Sequence, residues 1–282
     1  MGIVNLSVDS FSGDGLAEVE AALAKARELV ADGADIIDIG AESARTNRGV
    51  IGEEEEAARL VRFIERWEEA RSQGSAVGGQ GSAPTDSRPL TPDSWPLLSI
   101  NTWRPAVACA ALAVGGHILN DIGGLPTDEN ARICAETGAA LLIMHSIGQP
   151  KVPHTHVGYD DIMARLEEFF AAKIAVAVRA GLPRDAIILD PGFDFAKQRA
   201  DNLRIYRELD RLHRFERPIL LPVSRKTVIG EVLDLSNPAD RDAGTVACIV
   251  QGMLRGAHIF RVHNVRVAVQ AVRIVAAVES AE

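Results

Sequence analysis

Short apolar runs rich in Ile, Val and Leu alternate along this chain with longer segments whose apolar residues recur every three to four positions. The runs Gly2–Leu6, Asp35–Ile39, Leu97–Ile100, His117–Leu119, Ala140–Met144, Ala186–Leu189, Pro218–Leu221 and His258–Phe260 read as strands. The segments Leu16–Ala31, Glu53–Ser72, Arg104–Val114, Asp128–Glu136, Tyr159–Ala180, Asn202–Leu212, Ala239–Arg255 and Val265–Val278 read as helices. Eight such alternations predict an α/β protein, a (β/α)8 TIM barrel formed as one domain over residues 1–282. A doubly wound open sheet would share the alternation. It would more naturally carry a Gly-rich turn after its first strand, and GxGxxG is absent.

One stretch breaks the pattern. Residues Gln73 to Pro96 are rich in Gly, Ser, Pro and Thr and show no apolar period, so they read as a mobile insertion. The insertion follows a helix and precedes a strand, which places it on the N-terminal face of a barrel, opposite the usual catalytic face. Met1 opens directly into the first strand, and no leader is expected. No apolar run approaches membrane-spanning length, so a soluble, cytoplasmic protein is expected. The net charge of -9 argues against a nucleic-acid surface but leaves room for an anionic small molecule held by a few local cations. Cys109, Cys134 and Cys248 lie far apart in apolar stretches and read as reduced thiols.

In a barrel, chemistry comes from the C-terminal ends of the strands. Here the exits carry, in order, Asn5; Glu42, Ser43 and Arg45; Asn101; Asn120 and Asp121; His145; Asp190; Ser224, Arg225 and Lys226; and Arg261 with His263. Asn120–Asp121 alone could be a loop cap, and Asp190–Pro191–Gly192 a plain turn. Polar residues at all eight exits are hard to explain by stability. Barrel closure would make the first and last strands neighbours, and Asn5, Arg45, Arg261 and His263 would then suit a pyrophosphate with its magnesium. Asp190, Asn120, Asn101 and Lys226 supply a carboxylate, two amides and an ammonium, a set that suits a flat heterocycle such as a pterin. His145, His154 and His156 lack the spacing and partners of a zinc site and read as loop and core histidines.

The blocks MGIVNLSVDSF, GADIIDIGAESAR, LSINT, ILNDIGG, LLIMHS, IILDPGFDFAK, VSRKT and RVHNV stand in the order and spacing of the dihydropteroate synthase family, which the chain resembles from Met1 to the final helix. The resemblance implies a homodimeric barrel. It also implies condensation of 6-hydroxymethyl-7,8-dihydropterin pyrophosphate with 4-aminobenzoate, with Mg2+ and release of pyrophosphate, and competition by sulfonamides. By resemblance, Asn101, Asn120, Asp190 and Lys226 face the pterin. Asn5, Arg45, Arg261 and His263 face the pyrophosphate, with Asn5 at the metal. Arg45, Thr46, Phe195, Lys226 and Thr227 face the aminobenzoate, and the N–H at Thr227 is expected to receive its carboxylate. Asn101, Lys226, Arg261 and His263 would carry the catalysis.

The chain also departs from the family pattern. Asn101 stands where the family usually has Asp, Ala44 and Thr46 alter the second loop, Asp194 and Ala196 replace glycines, Pro222 removes a backbone donor, and Asn264 replaces Asp. These departures leave two other readings open: a divergent pterin-binding paralogue with weak activity or another arylamine, and a pterin-binding methyl-transfer module that works with a corrinoid partner.

Overall fold

The computed structural model describes residues 1–6, 15–42, 51–72, 95–148, 152 and 157–281, with the side chains of 15–17 excepted. Arg45, Thr46, Ala44, His154 and His156 lie outside these residues, as does most of the expected insertion. Strands β1 (Gly2–Asn5), β2 (Ile36–Gly40), β3 (Leu97–Asn101), β4 (Ile118–Asp121), β5 (Ala140–Met144) and β6 (Ile187–Asp190) pair in parallel in chain order. β7 (Leu220–Leu221) and β8 (Ile259–Phe260) form a second parallel pair.

Isolated bridges join the two sheets into a ring. Leu189 pairs with Ile219 on one side and Gly2 with Val262 on the other. The second seam is bonded in both directions: Ile3 N–H donates to Val262 O at 3.3 Å, and Val262 N–H donates to Met1 O at 3.0 Å. β1 therefore bonds a neighbour on each edge, which an open sheet does not allow at this position. The fold is the expected barrel.

Helices α1 (Gly15–Ala31), α2 (Glu53–Ser72), α3 (Pro105–Val114), α4 (Glu129–Thr137), α5 (Ile162–Arg179), α6 (Arg199–Arg207), α7 (Thr227–Leu233), α8 (Asp242–Leu254) and α9 (Val265–Glu279) follow the strands. α2 shows why such segments become helices. Glu53 to Glu56 complement the positive end of its dipole, and Leu60, Phe63, Ile64 and Trp67 bury one face. Trp67 packs on Trp95, with ring centroids 5.2 Å apart. Trp95 was expected to fall within the insertion, yet it is half-buried against the core. Seven-residue α7 was not among the expected helices, because two turns interrupted by Gly230 leave too little periodicity to detect.

The core has two layers. Outward residues such as Val4, Ile37, Ile39, Leu98, Ile100, Leu119, Leu189 and Val262 pack beneath the helices. Inward residues Met1, Ile36, Ile118, Leu142, Met144, Ile188 and Leu220 fill the barrel axis. Because strand side chains alternate with period two, the inward face that holds Ile36, Ile118 and Ile188 holds Asp38, Asn120 and Asp190 one step later. Hydrophobic plug and polar site are successive layers of one face.

The turn after β6 concentrates left-handed backbone, with φ of 70° at Gly192, 67° at Asp194 and 51° at Ala196. A Cβ on Gly192 would run into the carbonyl oxygen of His145. Gly192→Ala should therefore lower stability by about 2–4 kcal/mol, whereas Ala196→Gly should be neutral or stabilising by up to about 1 kcal/mol. Chemical denaturation of both variants checks this, and equal midpoints for Gly192→Ala and the parent would refute it.

Candidate active site

The C-terminal ends of the strands surround a cavity of about 420 Å³, within the range for small-molecule sites. Asn5, Asn101, Asn120, Asp190, Phe195, Lys226, Thr227, Arg261 and His263 all line it, so every expected site residue that is described converges on one pocket. Register explains part of the convergence: Asn5 pairs with Gly40, Asn101 with Asn120 and Met144 with Asp190. A side chain at position 40 would press on Asn101, with its Cβ 3.3 Å from that of Asn101, so glycine keeps the wall thin there.

Asp190 is almost fully buried, and its Oδ1 accepts the Gly192 N–H at 2.7 Å. Burial pushes its pKa up to about 6 against the opposing pull of that hydrogen bond and of Lys226, Lys197 and Arg261. Asn120 is buried, and its Oδ1 has no hydrogen-bond partner among the described residues. A buried carboxylate beside an unpaired buried acceptor is costly for an empty site and well suited to a ligand edge made of donors.

Asp38, fully buried in mid-β2, lies behind these groups. It accepts from Ser99 Oγ at 2.6 Å, Asn120 Nδ2 at 3.1 Å, Asn101 Nδ2 at 3.4 Å and Arg261 Nε at 2.7 Å. The wall behind Asn101 thus holds a carboxylate although position 101 itself is neutral. At the rim, His263 Nδ1 lies 2.9 Å from Ser224 Oγ, which also accepts the His263 N–H at 3.2 Å.

The two loops over the pocket are stitched together. Lys226 Nζ donates to Phe193 O at 2.8 Å and lies 5.0 Å from the centroid of the Phe195 ring. Lys197, a residue of the same loop, ties it to His145 just beyond β5. Its Nζ contacts Gly192 O at 2.9 Å, Phe195 O at 3.1 Å and His145 Nδ1 at 2.9 Å. Burial lowers the Lys197 pKa to about 7. Burial, reinforced by the Lys197 charge, holds His145 down at about 2, so its imidazole is neutral and accepts at Nδ1. Arg241 spans the next loop, donating to the carbonyls of Leu235, Ser236, Arg225 and Lys226.

Thr227 lines the pocket, and its N–H already has a partner. Its N–H was expected to receive a substrate carboxylate, but the Asp194 carboxylate occupies that position, accepting from Thr227 N–H and, at 3.4 Å, from Val228 N–H. Asn202 Nδ2 steadies Asp194 Oδ1 at 3.2 Å. Asp194 brings its own anion to the place where a ligand's anion was expected.

Asp38, Lys197 and Arg241 were missed. Asp38 was detectable as the charge inside the apolar run IIDIG, whereas the reading looked only at strand ends. Lys197 and Arg241 sit in polar stretches and carry no comparable sequence signal.

The chain matches the family model described as "Pterin binding enzyme" over residues 1–74 and 93–263, a match that omits the middle of the Gly/Ser-rich stretch. It is 35% identical to the dihydropteroate synthase of Escherichia coli, over 100% of this chain and 92% of that one. The solved dihydropteroate synthase of Xanthomonas albilineans with 4-aminobenzoic acid superposes with a TM-score of 0.83 at 35% identity, covering 100% of this chain and 93% of that one. That of Yersinia pestis in a sulfonamide drug complex gives a TM-score of 0.82 at 36% identity, covering 100% and 94%. With this barrel, this pocket and likeness along its whole length, the chain belongs to the pterin-binding enzyme family, among its dihydropteroate synthases.

Proposed function

We propose that the chain condenses 6-hydroxymethyl-7,8-dihydropterin pyrophosphate with 4-aminobenzoate and releases pyrophosphate, a step of folate synthesis. The observation that carries this reading is the division of one pocket into two chemistries. Acceptors lie deep, at Asp190, Asn120 and Asn101, while cationic and amide groups lie at the rim, at Arg261, His263 and Asn5. The first set receives the amino and N–H edge of a pterin, and Lys226 faces its carbonyl. The second set receives the phosphates.

In the reaction, the bond between the pterin methylene carbon and the pyrophosphate oxygen breaks first. Arg261 and His263 stabilise the charge that grows on the departing oxygen, and the electron-rich ring carries the cation left on carbon. The arylamine nitrogen then bonds to that carbon and loses a proton to solvent. Phe195 and Lys226 flank the approach. Positioning supplies the rate, and no covalent intermediate with the protein is required.

Magnesium fits this arrangement as a companion of the pyrophosphate. Mg2+ keeps several waters and takes one or two protein oxygens beside substrate phosphates, and the Asn5 amide at the end of β1 offers one such oxygen. Bound there, it would neutralise phosphate charge.

Leu254 on α8 and Ile274 and Val278 on α9 are exposed apolar side chains on helices that pack together, which supports a homodimer through this face. A cytoplasmic location is consistent with the finding that no described helix is long and apolar enough to cross a membrane. The Asp194 carboxylate at Thr227 favours a second reading of the arylamine alone, in which the preferred amine lacks a carboxylate.

Incubation with the pterin pyrophosphate and 4-aminobenzoate should release pyrophosphate and form dihydropteroate; no product with any arylamine would sink the proposal. Arg261→Ala should slow the reaction by about 100-fold or more, measured as pyrophosphate release, and a parental rate would remove Arg261 from the mechanism.

Donors on the ligand bind the ionised form of Asp190, so pterin affinity should rise with pH through about 6 and level off above it. Calorimetry from about pH 5 to 8 checks the sign, and Asp190→Asn should bind weakly with no such slope. Asp194→Gly should lower the KM for 4-aminobenzoate by about tenfold relative to that for 4-aminobenzamide. An unchanged ratio of the two KM values would show that Asp194 has no part in choosing the amine.

A further inference from the structure

What the two pocket amides can offer a ligand is decided on the side away from the cavity. Asp38 pairs with the Arg261 guanidinium through Oδ2 at 2.7 Å, and its Oδ1 takes the Ser99 hydroxyl at 2.6 Å. A carboxylate in such a pair accepts hydrogen bonds and cannot donate them. An amide that meets it must present its NH2 group. Asn120 does so at 3.1 Å and Asn101 at 3.4 Å. With the NH2 group drawn to the carboxylate, the oxygen of each amide faces the other way. The Asn120 oxygen is buried and unpartnered among the described residues, and both side chains line the cavity. The orientation of an amide is usually a matter of assignment, but here the chemistry of its neighbour dictates it. Arg261 is fixed by the same carboxylate at its Nε, and its two terminal nitrogens have no protein acceptor among the described residues.

We infer that Asp38 is a positioning residue that sets the polarity of the pocket, fixing the orientation of the Asn120 and Asn101 amides so that their oxygens stay available as acceptors, and holding Arg261 by one edge. The inference rests on the pterin reading above and deepens it. It explains how amides serve ligand donors: the NH2 group is held by the carboxylate, so the amide cannot flip and withdraw its oxygen. It also links the two halves of the site, because the group that orients ring recognition is the one that holds the leaving-group cation. Asp38→Asn has nearly the same shape but offers a donor as well as an acceptor. Asn120 is then released to turn its NH2 toward the ligand's own donors.

Exchange of the charge between the two positions provides the test. The probe is 6-hydroxymethyl-7,8-dihydropterin, titrated by calorimetry into the parent, Asp38→Asn, Asn120→Asp and the double variant, with pyrophosphate release measured in parallel. Each single variant should lose about 10- to 100-fold in ring affinity. One leaves the amide polarity unset, and the other sets two carboxylates face to face. In the double variant the new amide at position 38 donates to the new carboxylate at position 120, which again presents an acceptor to the ligand. Affinity should return to within about fivefold of the parent. Its rate of pyrophosphate release should stay about tenfold or more below the parent, because Arg261 still lacks its carboxylate. A merely structural role would not separate ring affinity from rate in this way. Asp38→Asn with parental affinity, or a folded double variant that binds no better than Asp38→Asn, overturns the inference. Should Asp38→Asn fail to fold, the double variant decides alone, folded and binding for the inference, folded and not binding against it. A parent that binds no pterin removes the underlying reading instead, which is a different result.

Discussion

Met1, Ile3 and Val262 exchange the backbone hydrogen bonds that turn eight parallel strands into a ring, and the site depends on that seam. It brings the first strand against the exit of the last, so Asn5 and Arg261 line one pocket although 256 positions separate them (261 − 5). It also fixes the inward parity of both strands. Ile3 and Asn5 on β1, and Ile259 on β8 with Arg261 just beyond it, alternate in step with Ile36 and Asp38 on β2. A slip of one residue at the seam would turn Arg261 away from Asp38 and put Val262, now buried under the helices, into the pocket.

Ring closure and period-two alternation together account for what the sequence could disclose. Strand positions were legible because each apolar run is short, β-branched and bounded, and the rim residues were legible because they stand where those runs stop. Asp38 was hidden for the opposite reason. It lies two residues before the end of β2, inside a run read as core, and its function depends on β3, β4 and Arg261 beyond β8, which no local pattern contains. Trp95 was hidden by its neighbours, since a long stretch without periodicity masks one aromatic that packs on Trp67. Thr227 is instructive in a different way. The N–H was correctly seen as a place for a carboxylate, but that the carboxylate comes from Asp194 is a tertiary fact.

The polar groups of the pocket are costly to bury. Asp190 holds its proton more tightly folded than unfolded, so its contribution to stability falls as pH rises from the ordinary carboxylate range to about 6. Lys197 has the opposite sign. Its folded pKa of about 7 lies below the ordinary lysine value, so stability recovers as pH rises beyond 7, where the folded chain sheds a proton that the unfolded chain keeps. The two effects place the least stable condition of the ligand-free site between about pH 6 and 7, where Asp190 is ionised and Lys197 is still charged. The unpaired Asn120 oxygen adds a cost that does not depend on pH.

These costs fall on the groups that would contact a pterin or hold its loop, and the hydrophobic layer beneath them offsets the expense. Met1, Ile36, Ile118, Leu142, Ile188 and Leu220 form the barrel floor one step below Asp38, Asn120 and Asp190. The same layer keeps the local dielectric low, which strengthens any hydrogen bond a ligand makes to Asp190 and penalises any ligand that cannot make it. Selectivity for a donor edge therefore comes from burial as much as from the identity of the polar residues. The same carboxylate and amides on an open loop would recognise the ring far less sharply.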